Sequence, residues 1–291
     1  MASKEKREKI FASYPIPKAV AALAVPSVLS SIVNVIYNMA DTYFVSLMKD
    51  TEATAAVSLT MPVFLFFVAF GNIFGVGGSA YISRSMGEGR KDRVKKISSF
   101  AIFSSILSGA LLLALILIFI KPLITALGST GAETTEYAYG YLKYIAIGGP
   151  MIVTSITASN LVRGEGGAKE SMVGMMIGTV TNIILDPVMI LTMKMGVAGA
   201  AIATVLSRFV EAAIVVIWTH RHKAEHGYIR GAYRSLYIPK ELVRNITIKG
   251  MPLLVNEAFW ASGMAILLQC YSVRGLEVVA GMNITSTITN L

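Results

Sequence analysis

The chain has 291 residues, of which 54% are hydrophobic and only 15% charged, with a mean hydropathy of +0.64. Soluble domains usually carry about 25% charge, so this balance excludes intrinsic disorder and an ordinary water-soluble enzyme. It points to an all-α polytopic membrane protein. The net charge of +9 does not imply nucleic acid, because the basic residues fall between apolar blocks instead of sharing one soluble face.

A membrane span needs about 20 mostly apolar residues. Seven blocks meet that test: residues 19–48, 53–83, 97–120, 141–162, 171–193, 197–218 and 250–272. An eighth begins near Val278 and reaches Leu291, too short to cross. The first block follows KEKREK, which resembles the n-region of a signal peptide. Its apolar run is about twice the length of an h-region and carries Asp41 and several Asn, so it reads as a retained helix.

Lysine and arginine set the orientation. With the N-terminus in the cytoplasm, the inner segments hold 20 basic residues and the outer ends 5, leaving only Arg208 inside a span. The long inner connection, 220–248, contains His220, His222 and His226. No carboxylate or cysteine cluster completes a metal shell around them, so a solvated basic loop facing anionic lipid accounts for them better. Cys270 is the single cysteine; it cannot form an internal disulfide and reads as a small apolar helix residue.

An internal repeat organises the chain. Ala24-Val25-Pro26 resembles Gly250-Met251-Pro252, and residues 54–60 align with 279–285. Six spans precede the second copy, an even number, so both copies point the same way. This predicts two parallel six-helix lobes related by an axis along the membrane normal, as in secondary transporters. Residues 1–220 are then the N-terminal lobe, 221–248 a cytoplasmic linker, and 249–291 the first one to two helices of the second lobe. Leu291 maps onto Phe66, in the middle of the second helix of the repeat. A complete second lobe would need roughly 160 further residues, giving a protein of about 450. The alternative is a half-transporter that dimerises, which should end after six spans.

Ionisable groups inside spans are costly and are functional candidates. Asn34, Tyr37 and Asp41 share one face of the first span, and Asn182 and Asp186 one face of the fifth. In the sixth, Ala200 and Thr204 share a face. Asp41 and Asp186 each lie eight residues before an outer lysine, Lys49 and Lys194, hence about 12 Å below the outer end, with Thr204 about 10 Å down. Two carboxylates, an amide and a hydroxyl therefore converge at one level. An oxygen-only set suits a hard cation such as Na⁺, and the same pair can instead hold a proton. The bland alternative is that the acids hydrogen-bond locally and fix helix packing. Pro187, directly after Asp186, removes a backbone donor, and irregular backbone at this depth is tolerated mainly where it lines a cavity.

Pro26 and Pro62 are candidate kinks, with Pro26 the candidate hinge, and Gly148-Gly149-Pro150 is expected to break the fourth helix. Arg208 and Glu211, three residues apart, are placed to neutralise each other; the alternative for Arg208 is substrate contact. Asn34 is a further substrate-contact candidate. Glu257, in the seventh span, is a lone acid suited to a cationic substrate. The pairs Gly71/Gly75 and Gly174/Gly178 have the spacing of close helix packing. Gly75-Val-Gly77-Gly78 is no nucleotide loop, since neither a preceding strand nor a phosphate-binding lysine accompanies it.

Five motifs in order carry a resemblance: MADTYFV around Asp41, SRSMGEGRKDRVKKI after the second span, NLVRGEGGAKESM between the fourth and fifth, NIILDPVMI, and GVAGAAIATVLS. With them the chain resembles the multidrug and toxic compound extrusion (MATE) transporters, in the branch of MepA- and DinF-like bacterial exporters. The likeness runs through the first lobe and into the start of the second. It implies a V-shaped, twelve-helix exporter of the bacterial inner membrane that exchanges inward Na⁺ or H⁺ for an outward, often cationic, drug, functioning as a monomer. It also implies a cation site at Asp41, Asn182, Asp186, Ala200 and Thr204, with Tyr37 beside it and Pro26 where the first helix bends. No cofactor beyond the coupling ion is implied. Asn256 and Glu257 stand where relatives vary.

Two other functions compete. A lipid-linked saccharide flippase of the same superfamily would need a strongly basic central cavity, and Arg208 is the one basic residue inside a span. An intramembrane aspartyl protease using Asp41 and Asp186 lacks its usual GxGD-type context, since Asp186 sits in LDP. A purely structural membrane protein leaves the matched depth of the polar groups unexplained.

Overall fold

The computed structural model describes residues 15–129, 131–221, 240–275, 277–279, 281–282 and 285. Seven α-helices run through them: α1 (Ile16–Ser46), α2 (Thr51–Gly87), α3 (Lys91–Ala126), α4 (Ala132–Gly164), α5 (Ala168–Pro187), α6 (Gly196–Arg221) and α7 (Lys240–Ser272). Each overlaps one of the seven predicted spans. Helices α2 to α6, with α5 counted through Thr192, are each long and apolar enough to cross a membrane. Helices α1 and α7, at 31 and 33 residues, have the length to do so as well.

Local chemistry sets the ends. Pro15 caps α1, with Pro17 in its first turn, where a missing N–H costs nothing. Asp50 caps α2, its carboxylate accepting from the Ala53 N–H at 3.1 Å. Lys49 and Lys194 close the turns before α2 and α6 with left-handed backbone, at φ 54° and 53°. At the opposite end, Glu88 follows α2 and lies between Arg84 at 3.1 Å and Arg90 at 3.6 Å. The hydrogen bond from Arg84 holds its carboxyl below the usual range.

Helix α4 is central, packed against α2, α3, α5 and α6, while α1 rests mainly on α5 and α7 on α2. Lipid offers no hydrophobic drive for helix association, so close packing at small residues has to supply it. Both predicted glycine pairs do this. A Cβ on Gly71 would stand 2.8 Å from Ile156, and one on Gly75 2.8 Å from Asn160, both on α4. Gly174 and Gly178 let α5 meet Val215 and Glu211 of α6. Thr157 donates to the Gly71 carbonyl at 3.1 Å, tying α4 to α2.

One expectation is corrected, and two helices extend beyond their predicted bounds. Gly148-Gly149-Pro150 does not break the fourth helix, since α4 is continuous from Ala132 to Gly164. Those residues instead form a crossing point: Gly148 faces Val205, Gly149 faces Phe67, and Pro150 faces Gly109. The bend lies in α3, where Phe119 has φ −107° and ψ 18°, three residues before Pro122. The seventh helix begins at Lys240, so the end of the predicted linker, 240–248, is helical; His222 and His226 lie outside the described residues. The fourth span begins at Ala132, well before residue 141.

At Gly109 a Cβ would lie 2.5 Å from the Pro150 Cα and 2.9 Å from its nitrogen, backbone that cannot rotate away. Gly109→Ala should therefore cost about 1–3 kcal/mol by overpacking and lower the melting temperature. Gly140→Ala, which meets nothing within 4 Å, should leave it unchanged or raise it. Thermal unfolding of the two purified variants compares them directly.

Candidate functional site

The predicted cluster forms where α1, α5 and α6 meet, with α4 behind. Tyr37 and Asp41 are one turn apart on α1. The Tyr37 hydroxyl shares a hydrogen bond with Thr204 Oγ1 of α6 at 3.2 Å, across 167 residues of sequence. On α5, Asn182 Nδ2 donates to Asp186 Oδ1 at 3.1 Å, and both side chains are fully buried. Asp41 lies within electrostatic reach of Asp186 and of Tyr37. Ala200 and Thr204 are buried one turn apart on α6.

The backbone beside Asp186 departs from the α-helix as Pro187 suggested. A single π-helical turn, Val188–Thr192, follows it, closed by the Met193 N–H donating to the Val188 carbonyl at 2.8 Å. Gly199 fits against this turn, since a Cβ there would stand 2.9 Å from the Met189 carbonyl carbon and oxygen. The glycine therefore sets how closely the start of α6, and with it Ala200, approaches the end of α5.

Three buried oxygens at this junction have no hydrogen-bond partner among the described residues: Asp41 Oδ1, Asp186 Oδ2 and Asn182 Oδ1. Buried acceptors in proteins are nearly always satisfied. Two of these three oxygens are on carboxylates, and each belongs to a side chain able to bind a hard cation, so the junction is a candidate cation site. Among the described residues no group of three His, Cys, Asp or Glu gathers as a transition-metal site would require.

Other predicted residues fall elsewhere or outside the description. Pro26 lies within the unbroken α1, its carbonyl accepting from Ser30 Oγ at 2.9 Å. Arg208 pairs with Glu211 at 2.9 Å and lies over the Tyr37 ring, 5.3 Å from its centroid. Asn34 and Glu257 sit on α1 and α7, but their side chains are outside the described residues.

The sequence profile described as MatE matches residues 26–188, more than half of the chain and including Tyr37, Asp41, Asn182 and Asp186. The chain belongs to the MatE family. It is 32% identical over 215 residues to the multidrug export protein MepA of Staphylococcus aureus, covering 74% of this chain and 48% of that protein. The corresponding protein of Staphylococcus haemolyticus is 34% identical over 220 residues, covering 75% and 48%. A structure described as the inward-facing conformation of a multidrug resistance MATE family transporter of the MOP superfamily superposes with a TM-score of 0.78. It is 30% identical and covers 85% of this chain and 56% of its own. The chain thus spans about half the length of the curated relatives it matches.

In this MatE chain one residue at the pocket escaped the sequence reading. Tyr141 of α4 is buried and within electrostatic reach of Asp41, Tyr37 and Asp186. Starting the fourth span at residue 141 put this tyrosine at a helix end. The helix starts at Ala132, which carries Tyr141 about 14 Å in, the depth of the two aspartates. Counting depth from Gly131, the helix N-cap, would have found it.

The Tyr37–Thr204 hydrogen bond ties α1 to α6 beside the two aspartates. A double-mutant cycle of Tyr37→Phe and Thr204→Val, read by unfolding of the purified protein, should give a coupling of about 0.5–1.5 kcal/mol. A coupling near zero would mean the two hydroxyls do not meet.

Proposed function

We propose that this chain supplies the cation-binding lobe of a secondary multidrug exporter that exchanges inward Na⁺ or H⁺ for an outward, often cationic, drug. One observation supports the reading: Asp41 of α1 and Asp186 of α5 lie within electrostatic reach of each other, and each keeps a buried oxygen with no hydrogen-bond partner among the described residues. The relatives with the multidrug export name support the drug side.

The mechanism follows from charge. With the pocket empty, the pair Asp41/Asp186 is a buried anionic centre that favours whatever cation reaches it. Na⁺ or a proton entering there lowers the negative charge by one and changes how tightly α1 is held against α5 and α6. Linkage then requires that the cation weaken drug binding by the same factor as the drug weakens cation binding, which yields exchange and not leak. Tyr37, bonded to Thr204, passes the state of the pocket along α1 toward Pro26, the hinge in this reading. Asn34 and Glu257 are substrate-contact candidates on the same grounds as in the sequence.

In this reading the full-length protein is a monomer of the bacterial inner membrane, with a cytoplasmic N-terminus and the second lobe following the linker. It is not an enzyme, and the exchanged ion is its one inorganic requirement. The flippase alternative is disfavoured by Arg208, whose charge is taken up by Glu211 and is not presented to a pyrophosphate. The protease alternative is disfavoured by the LDP context of Asp186, which lacks the GxGD-type pattern.

In full-length protein reconstituted in vesicles, Asp41→Asn should abolish the dependence of dye efflux on an imposed Na⁺ or pH gradient. Coupling equal to that of the parent would remove Asp41, and with it this mechanism.

A further inference from the structure

Glu211 is a third acid buried among these helices, and the exchange described above does not use it. It lies on the face of α6 that carries Ala200, Thr204 and Arg208, about 10 Å along the axis from Thr204. Its two oxygens are held differently. Oε1 accepts from Ser159 Oγ of α4 at 2.9 Å, and Oε2 accepts from Arg208 Nη1 at 2.9 Å. Gly178 lets α5 close over it, since a Cβ there would stand 3.1 Å from Glu211 Cβ and 3.2 Å from the Ser207 carbonyl oxygen. One turn from Ser159 on the same face of α4, Ser155 has a buried hydroxyl with no hydrogen-bond partner among the described residues. Arg163 is within electrostatic reach of Glu211 from the end of α4.

The contrast with the aspartate pocket is chemical. Both are carboxylates buried among helices with hydroxyl neighbours, and both need positive charge. Asp41 and Asp186 have no basic partner among the described ion pairs, so what neutralises them can come and go. Glu211 is answered by a guanidinium, which stays charged at every working pH and is anchored to the backbone. Its other contact, the ring of Tyr37, places that fixed charge beside the α1 residue that bonds to Thr204.

We propose that Glu211, Ser159 and Ser155 form an inner cation site in which Arg208 is a permanently tethered occupant, confining exchangeable Na⁺ to the Asp41/Asp186 pocket. The site stands on its own contacts, while the word "confining" rests on the exchange reading. A fixed positive charge one turn inward of Thr204 also opposes passage of a second cation along the polar face of α6, as fixed arginines do in selective pores.

The test is equilibrium binding of radiolabelled Na⁺ to purified full-length protein. Arg208→Met keeps the bulk and removes the charge, and it should bind about one more Na⁺ per protein than the parent, because the freed carboxylate demands a counter-charge. Arg208→Lys should keep the parental count, and Arg208→Met/Glu211→Gln should return to it. A folded Arg208→Met protein with the parental count would overturn the proposal. If that variant does not fold, Glu211→Gln alone decides: it leaves Arg208 unanswered and should weaken Na⁺ binding about ten-fold, and an unchanged affinity overturns the proposal. The extra Na⁺ of Arg208→Met should persist in an Asp41→Asn background. Its presence there while efflux stays ion-coupled would leave the inner site standing and the exchange reading refuted.

Discussion

A carboxylate buried between helices in a bilayer must be met by a donor or a cation, because no water is at hand to solvate it. Among the described residues within the spans of this lobe, Asp41, Asp186 and Glu211 are met in two ways. Glu211 is answered by Arg208 and Ser159. Asp41 and Asp186 each keep an oxygen that no described residue satisfies. The remaining architecture serves that difference: the π-helical turn after Asp186, the glycines that bring α5 onto α6, and the Tyr37–Thr204 bond that draws α1 against them.

Helix packing explains how such a pocket is kept without a hydrophobic drive. Gly71, Gly75 and Gly109 bring α2 and α3 against α4 at near-backbone contact, and Gly148 and Gly149 admit Val205 and Phe67. These contacts make α2, α3 and α4 a rigid back wall. Helix α1 rests mainly on α5 and reaches α6 through the Tyr37–Thr204 bond. The helix that carries Asp41 stands outside that wall, and the proposed exchange turns on its position.

Much of this was legible in the sequence because membrane constraints act on composition and periodicity. All seven helices are readable from apolar length, and matched depth brings Asp41, Asp186 and Thr204 to one level. Pro187 announced irregular backbone, and the spacing of Arg208 and Glu211 announced their pairing. What escaped reading depended on distance across the fold. Gly148-Gly149-Pro150 looks like a break, but the facing side chains of Val205 and Phe67 fill the space the glycines leave, and α4 runs straight through. Tyr141 was missed because its polar surroundings masked where α4 begins. Ser159 gave no local sign of its bond to Glu211, 52 residues away.

The central claim is that Asp41 and Asp186 together hold one exchangeable cation. Crystals of the full-length protein soaked in a thallium salt, with thallium as an anomalous stand-in for Na⁺, test it most directly. The account predicts one strong peak at the junction of α1, α5 and α6, within coordinating distance of both carboxylates and of Thr204. A map with no peak there, or with either carboxylate turned away toward lipid, would contradict it.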